Sequence, residues 1–222
     1  MRCLYVVEGT SLPPEIAEKA HAARVPVREA TDEDLQALSG MTAHQGIVAE
    51  AEGLPRPDFV EAVTTAHFFI ALDGVTDPRN MGAVARAAEG AGAAGLIVQD
   101  RRSAPFTAAA QKAAAGAMEY LPIFVVSNLA NALELAKKAG MWAVGLAPEG
   151  KALWECGLCD ERVILVAGSE GKGIRPRVQS VCDELCGIPL HGRVASLNVA
   201  TAVAVAAFHV AERQERQEGK HA

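Results

Sequence analysis

Aromatic side chains are scarce, at 5% of 222 residues. A core built on stacked rings is therefore excluded. The 50% of residues that are hydrophobic must fill the interior mainly as Ala, Val, Leu and Ile. Positive net charge is missing too. The formal charge of −6 excludes a protein that coats nucleic acid through bulk charge, yet leaves room for a local basic groove. Residues 1–57 carry most of the excess, with five Lys/Arg against nine Asp/Glu, and residues 58–222 are close to neutral. No amino-terminal apolar stretch has the form of a signal peptide. The longest apolar run, Val199 to Ala211, is broken by His209 and is too short to span a bilayer. We expect a soluble, cytoplasmic protein with no membrane partner.

An even cysteine count is also lacking. Five cysteines argue against a disulfide framework and suit a reducing compartment. Cys156-Gly-Leu-Cys159 with Cys182-Asp-Glu-Leu-Cys186 invites a four-cysteine zinc reading. The second pair has three intervening residues, however, and lies where a helix runs into a strand. Buried thiols are the default, and no metal is expected. His21, His44, His67, His191 and His209 are scattered without metal spacing.

What is present is an alternation of short apolar strands and helices. In residues 1–52, Cys3–Val7 reads as a strand, 13–23 as a helix with prolines in its first turn, and Val25-Pro-Val27 as a short strand. Thr31-Asp-Glu-Asp34 caps a helix that reaches about Leu38, and Ile47–Ala51 is a further strand. This makes a small α/β module, marginal by itself. Residues 53–66 read as linker and lead-in, opening on Gly53-Leu-Pro-Arg-Pro57.

From 67 to 222 the pattern restarts. Strands are expected at 68–72, 95–98, 122–126, 141–146, 162–167 and 186–190. Helices are expected from Pro78, over 106–116 and 129–139, near Pro176, and from about Leu197 to the charged tail. Asp77-Pro78 is an N-cap and N1 pair. Gly82, Ala83, Ala87 and Ala88 should permit close packing on a sheet. Continuous apolar strands alternating with helices mean a parallel sheet with helices on both faces.

Gly90-Ala-Gly-Ala-Ala-Gly95 matches a dinucleotide-binding fingerprint letter for letter, but it stands after a helix and before a strand, the reverse of the required context. Gly168-Ser-Glu-Gly-Lys-Gly173 follows a strand but has the wrong glycine order, and no acid closes a following strand at the needed distance. An NAD-dependent oxidoreductase is therefore disfavoured. Taken together, Asn80-Met-Gly-Ala-Val-Ala-Arg86, Gly168–Gly173 and Ser196-Leu-Asn198 form an ordered set, each following a strand. In that set residues 68–212 closely resemble the SpoU (TrmH) branch of the SPOUT methyltransferases, which modify the ribose 2′-hydroxyl of RNA. Residues 1–52 are similar to the small L30e-like RNA-binding domain that precedes it in several members, down to the closing His44-Gln-Gly-Ile-Val48.

The resemblance implies a trefoil knot at the carboxyl end of the catalytic domain, with two loops meeting around S-adenosylmethionine. It implies cofactor contacts at Gly168, Gly173, Ile188, Ser196 and Leu197. It places Asn80, Arg86, Glu170, Ser196 and Asn198 at catalytic or RNA-contacting positions. It also implies a homodimer, with apolar residues of the last helix serving as dimer contacts. Members with this leader usually begin with another strand and helix, so we expect a shortened leader with an altered grip on RNA. The implied substrate is RNA: a guanosine of 23S ribosomal RNA, with transfer RNA as the alternative. A non-catalytic RNA-binding module is opposed by the intact residue set.

Methyl transfer to a ribose oxygen needs alignment and a stabilised alkoxide. The motifs contain no histidine to act as base. A guanidinium holds its proton tightly, so Arg86 is expected to act chiefly as a cation beside the alkoxide and a phosphate, with proton removal by a depressed arginine as the alternative. Arg101, Arg102, Lys112, Lys172, Arg175, Arg177 and Arg193 are candidate phosphate contacts.

Overall fold

A computed structural model describes residues 1–52, 57–100 and 106–221, with side chains to 217. The chain divides into two compact units, Met1–Pro55 and Arg56–Ala222.

In the first unit, strand β1 (Cys3–Val7) is central. It pairs in parallel with β2 (Val27–Ala30) and antiparallel with β3 (Ile47–Glu50). Helix α1 (Pro14–Ala22) links β1 to β2, and α2 (Asp32–Ser39) follows β2. The start of α2 obeys its sequence: the Thr31 hydroxyl accepts from the Asp34 amide and the Asp34 carboxylate accepts from the Thr31 amide, a complete capping box. Strand β2 begins at Val27, later than expected. Pro26 has no amide to donate, and the Val25 amide is already bonded to Ala20 O behind α1.

The second unit opens on α3 (Phe59–Thr65), within the stretch read as linker and lead-in. Asp58 caps it, and Val63 is fully buried. Arg162 holds its far end, donating to Val63 O, Ala66 O and Ala139 O. Residues 53–56 of the expected linker lie outside the described residues. The order then runs β4 (Phe68–Asp73), α4 (Pro78–Gly90), β5 (Leu96–Gln99), α5 (Ala108–Ala114), β6 (Ile123–Val126), α6 (Leu129–Lys138), β7 (Trp142–Ala152), β8 (Val163–Gly168), α7 (Pro176–Gln179), β9 (Glu184–Gly187) and α8 (Val199–His221).

The six strands form one sheet in the order β6-β5-β4-β8-β7-β9, with every pair parallel. Side chains of β4 and β8 alternate between two apolar layers. Phe68, Ile70, Leu72, Val163 and Leu165 meet α4, α5 and α8, while Phe69, Ala71, Ile164 and Val166 meet α3, α6 and α7. Burial on both faces is why these strands read as continuous apolar runs. Gly82 serves a different neighbour from the one expected. A Cβ there would stand 2.3 Å from Ala110 O, so it lets α4 approach α5 rather than the sheet. Strand β7 runs beyond the expected 141–146. Its pairing with β9 breaks after Leu146, around Pro148, and resumes at Lys151. Among the described residues no helix is long and apolar enough to cross a membrane.

Candidate active site

Strand order reverses between β4 and β8, and in an open parallel sheet the crevice beyond the strand ends at such a point is the natural ligand site. Asp73 and Gly168 end these two strands and are register partners. After Gly168 the chain turns back at once. The Gly173 amide donates to Ser169 O at 2.8 Å, and Gly171 and Gly173 adopt φ of +79° and +63°. Gly168 is confined by this turn: a Cβ would lie 2.0 Å from the Gly173 carbonyl carbon and 2.2 Å from the Ile174 amide.

The loop also places Glu170, whose Oε1 accepts from Asn80 Nδ2 at 2.9 Å and from Asn198 Nδ2 at 2.6 Å. Asn198 Nδ2 additionally reaches Asn80 Oδ1 at 3.0 Å. Local structure aims each amide. Asp77 accepts from the Arg79 amide to start α4, which puts Asn80 in the first turn. Asn198 Oδ1 accepts from the Ala200 and Thr201 amides at the start of α8, leaving its amide nitrogen to bond across. Three segments far apart in sequence thus share one carboxylate.

The remaining site candidates lie near these segments without joining the cluster. Arg86 is exposed on α4, and among the described residues it makes no hydrogen bond or ion pair. Ser196 is exposed and Leu197 half-buried, just before α8. Ile188 is half-buried immediately after β9, which ends at Gly187 rather than continuing to Leu190. Gly90–Gly95 closes α4 ahead of β5, as its order requires.

The sequence reading missed Asp73, a fully buried carboxylate at the end of an otherwise apolar strand. It accepts from the Arg175 amide at 2.7 Å and from the Arg175 guanidinium, which also reaches Gln99. Arg175, expected as a phosphate contact, instead ties the glycine loop to β4 and β5. The signal was present, since an acid closing Phe-Phe-Ile-Ala-Leu must find a cation. Removing it should matter. Asp73→Ala leaves the Arg175 side chain, about one-third exposed, without its carboxylate. A loss of about 3 kcal/mol is expected by urea or thermal unfolding. The Asp73→Ala/Arg175→Met double variant should lose less than the two single variants together, and a loss equal to their sum would show that the pair is not coupled. Arg177 is likewise engaged, with Glu134 at 2.6 Å. Lys172 and Arg193 are exposed, and Arg101 and Arg102 lie outside the described residues. Gln99, Ser127, Asn128, Arg175 and Arg177 line a cleft of about 460 Å³ beyond β5 and β6.

A parallel sheet with polar loops gathered beyond its carboxyl ends is the arrangement in which α/β proteins hold small-molecule ligands. The chain belongs to the SpoU rRNA Methylase family, whose model matches residues 67–208. The family "RNA 2′-O ribose methyltransferase substrate binding" matches residues 1–57. The 23S rRNA (guanosine-2′-O-)-methyltransferase RlmB of Pseudomonas putida is 36% identical over 96% of this chain and 88% of its own. The protein of the same name from a Burkholderia species is 43% identical over 81% and 74%. Among solved structures, the SpoU methyltransferase AviRb of Streptomyces viridochromogenes, in complex with AdoMet, shares the fold at a TM-score of 0.81. That likeness covers 97% of this chain and 83% of the other at 22% identity.

Proposed function

We propose that this protein transfers a methyl group from S-adenosylmethionine to the ribose 2′-hydroxyl of a guanosine in 23S ribosomal RNA, in the cytoplasm. The observation that carries this reading is the carboxylate shared by Asn80, Glu170 and Asn198, which gathers three distant motifs at the strand ends. The choice of nucleotide rests on the names of the relatives from Pseudomonas and Burkholderia.

The residues present fit the cofactor. Gly168 lets the turn close on itself, while Gly171 and Gly173, with open space where a side chain would stand, leave its main chain open to a ligand. Gly168, Gly173, Ile188, Ser196 and Leu197 would hold it, in the knotted arrangement that the family resemblance implies. When bound, S-adenosylmethionine would supply an electrophilic methyl group on a sulfonium sulfur, with the neutral thioether as its leaving group. The chain's own residues align and stabilise. Two amide donors hold the Glu170 carboxylate in one orientation and tie the α4 and α8 starts to the glycine loop. Arg86, whose guanidinium is uncommitted among the described residues, would stabilise the negative charge that develops on the ribose oxygen and the neighbouring phosphate, while the hydroxyl proton passes to solvent water. Ser127 and the amide nitrogen of Asn128 in the cleft offer polar edges to the RNA chain. The working form is a homodimer, and Val205 and Phe208, exposed on α8, are its contacts.

Incubation with methyl-labelled S-adenosylmethionine and undermethylated 23S RNA should give one labelled alkali-resistant dinucleotide containing guanosine. Label on transfer RNA alone would overturn the substrate, and label released by alkali would overturn 2′-O chemistry. The same preparation should show twice the chain mass by light scattering, and a monomer would remove the dimer.

A further inference from the structure

Three of the five cysteines meet at one place that the reaction above does not use. The Cys159 amide donates to Cys156 O, closing a 3₁₀ turn (157–160) in which residues three apart stack. Both thiols are thereby presented on one side. Glu184 and Cys186 are two apart on β9 and share a face. Because β7 resumes pairing with β9 at Lys151 and Ala152, the turn that follows is delivered to that face. The sulfurs of Cys156 and Cys186 and a carboxylate oxygen of Glu184 lie within 4.8 Å of one another. Cys156 Sγ donates to Glu184 Oε2 at 3.1 Å.

Cys182, which sequence spacing pairs with Cys186, does not belong to this group. It packs in the α3/α6/α7 layer, whereas Cys156, Cys159 and Cys186 lie in the α4/α5/α8 layer on the other side of the sheet. Burial pushes the Cys182 thiol up to about 11. The four-donor pattern is therefore Cys-x-x-Cys with Glu-x-Cys, a combination that the expectation of no metal did not weigh.

We propose that Cys156, Cys159, Glu184 and Cys186 bind one zinc ion. Thiolate sulfur with a carboxylate oxygen is a donor set that zinc accepts in a closed tetrahedral site and that magnesium and calcium do not favour. With zinc–sulfur bonds of about 2.3 Å, ligand sulfurs of a tetrahedron stand roughly 3.8 Å apart, so a small closure of Cys156, Glu184 and Cys186 suffices, with Cys159 brought in by the 3₁₀ turn. All three thiols are fully buried, and such a concentration of donors is stable as anions only around a cation. Lys151, paired with Glu184, offsets part of the negative charge that three thiolates and a carboxylate would leave around a divalent ion. A redox pair fits less well, because a dissolved oxidant has no access to fully buried sulfurs. Cys186 stands two residues before Ile188, so the ion would fasten the 157–160 turn to the root of the 187–198 loop. The site rests on these side chains and not on the methyltransferase reading.

The test uses the full chain, reduced, stripped with a chelator and titrated with cobalt(II), then zinc. One cobalt per chain should bind with a thiolate charge-transfer band and tetrahedral ligand-field absorption, both abolished by one equivalent of zinc. In competition with a chromogenic chelator, Cys156→Ser and Cys186→Ser should lose zinc affinity roughly 100-fold or more. Cys3→Ser and Cys182→Ser should match the parent. Circular dichroism checks that each variant folds, and the parent's cobalt spectrum is informative even if one does not. The proposal fails if the parent shows no thiolate band or if the band survives in both Cys156→Ser and Cys186→Ser. It also fails if freshly purified protein is two hydrogens lighter through an internal disulfide.

Discussion

Arg86→Ala should slow methyl transfer by a factor on the order of 10²–10³, the usual cost of removing one stabiliser of transition-state charge. S-adenosylmethionine affinity should stay within about threefold of the parent, because uniform binding is not what the residue supplies. The structural basis is its lack of commitment. Arg86 is exposed on α4 and joins no hydrogen bond or ion pair among the described residues, so its planar fork is available to an incoming phosphate and alkoxide. For the same reason the melting temperature should barely change, since an exposed side chain without partners contributes within roughly 0.5 kcal/mol. Arg86→Lys sharpens the test. It keeps the charge and loses the bidentate geometry, so it should recover part of the rate. Single-turnover transfer and calorimetry with the cofactor separate the two effects. Parallel loss of rate and cofactor affinity in Arg86→Ala would make the residue structural.

Gly168→Ala should act in the opposite way, on binding first. Its new methyl would fall 2.0 Å from the Gly173 carbonyl carbon and 2.2 Å from the Ile174 amide, both main-chain atoms that cannot rotate aside. The turn must move. Forcing a methyl into a filled site costs about 1–3 kcal/mol, equivalent to a roughly 10–100-fold loss of cofactor affinity if the strain falls on the binding-competent turn. Displacement would also carry Glu170 away from Asn80 and Asn198, so transfer should fall at saturating cofactor as well. Calorimetry measures the first effect and initial rates the second. Parental affinity in a folded Gly168→Ala protein would show that the cofactor does not sit on this turn.

Where backbone chemistry is local, the structure follows the sequence closely. Asp77-Pro78 starts α4 and Thr31 with Asp34 starts α2, because a cap needs only a side chain and amides two or three residues away. Asn80, Glu170 and Asn198 were legible as motif residues, but the single carboxylate that joins them was not. Their separations of 28 to 118 residues leave no periodic trace. Misjudged boundaries have a common cause. β7 continues past Pro148 because β9 offers it a partner again at Cys186, and α3 forms where Val63 finds the α6 side of the sheet. In each case a distant neighbour outweighed local preference.

By itself, the sequence determined the parallel α/β plan, the order of the glycine and asparagine loops, and the starts of α2 and α4, all of which are written in apolar period and short-range hydrogen bonding. Only the tertiary structure decided that Arg175 answers the buried Asp73 and that Cys186 faces Cys156 beside Glu184 rather than sharing a layer with Cys182. Those outcomes depend on which face of the sheet a side chain meets and on what lies across from it. Neither is set until strands distant in the chain choose their neighbours.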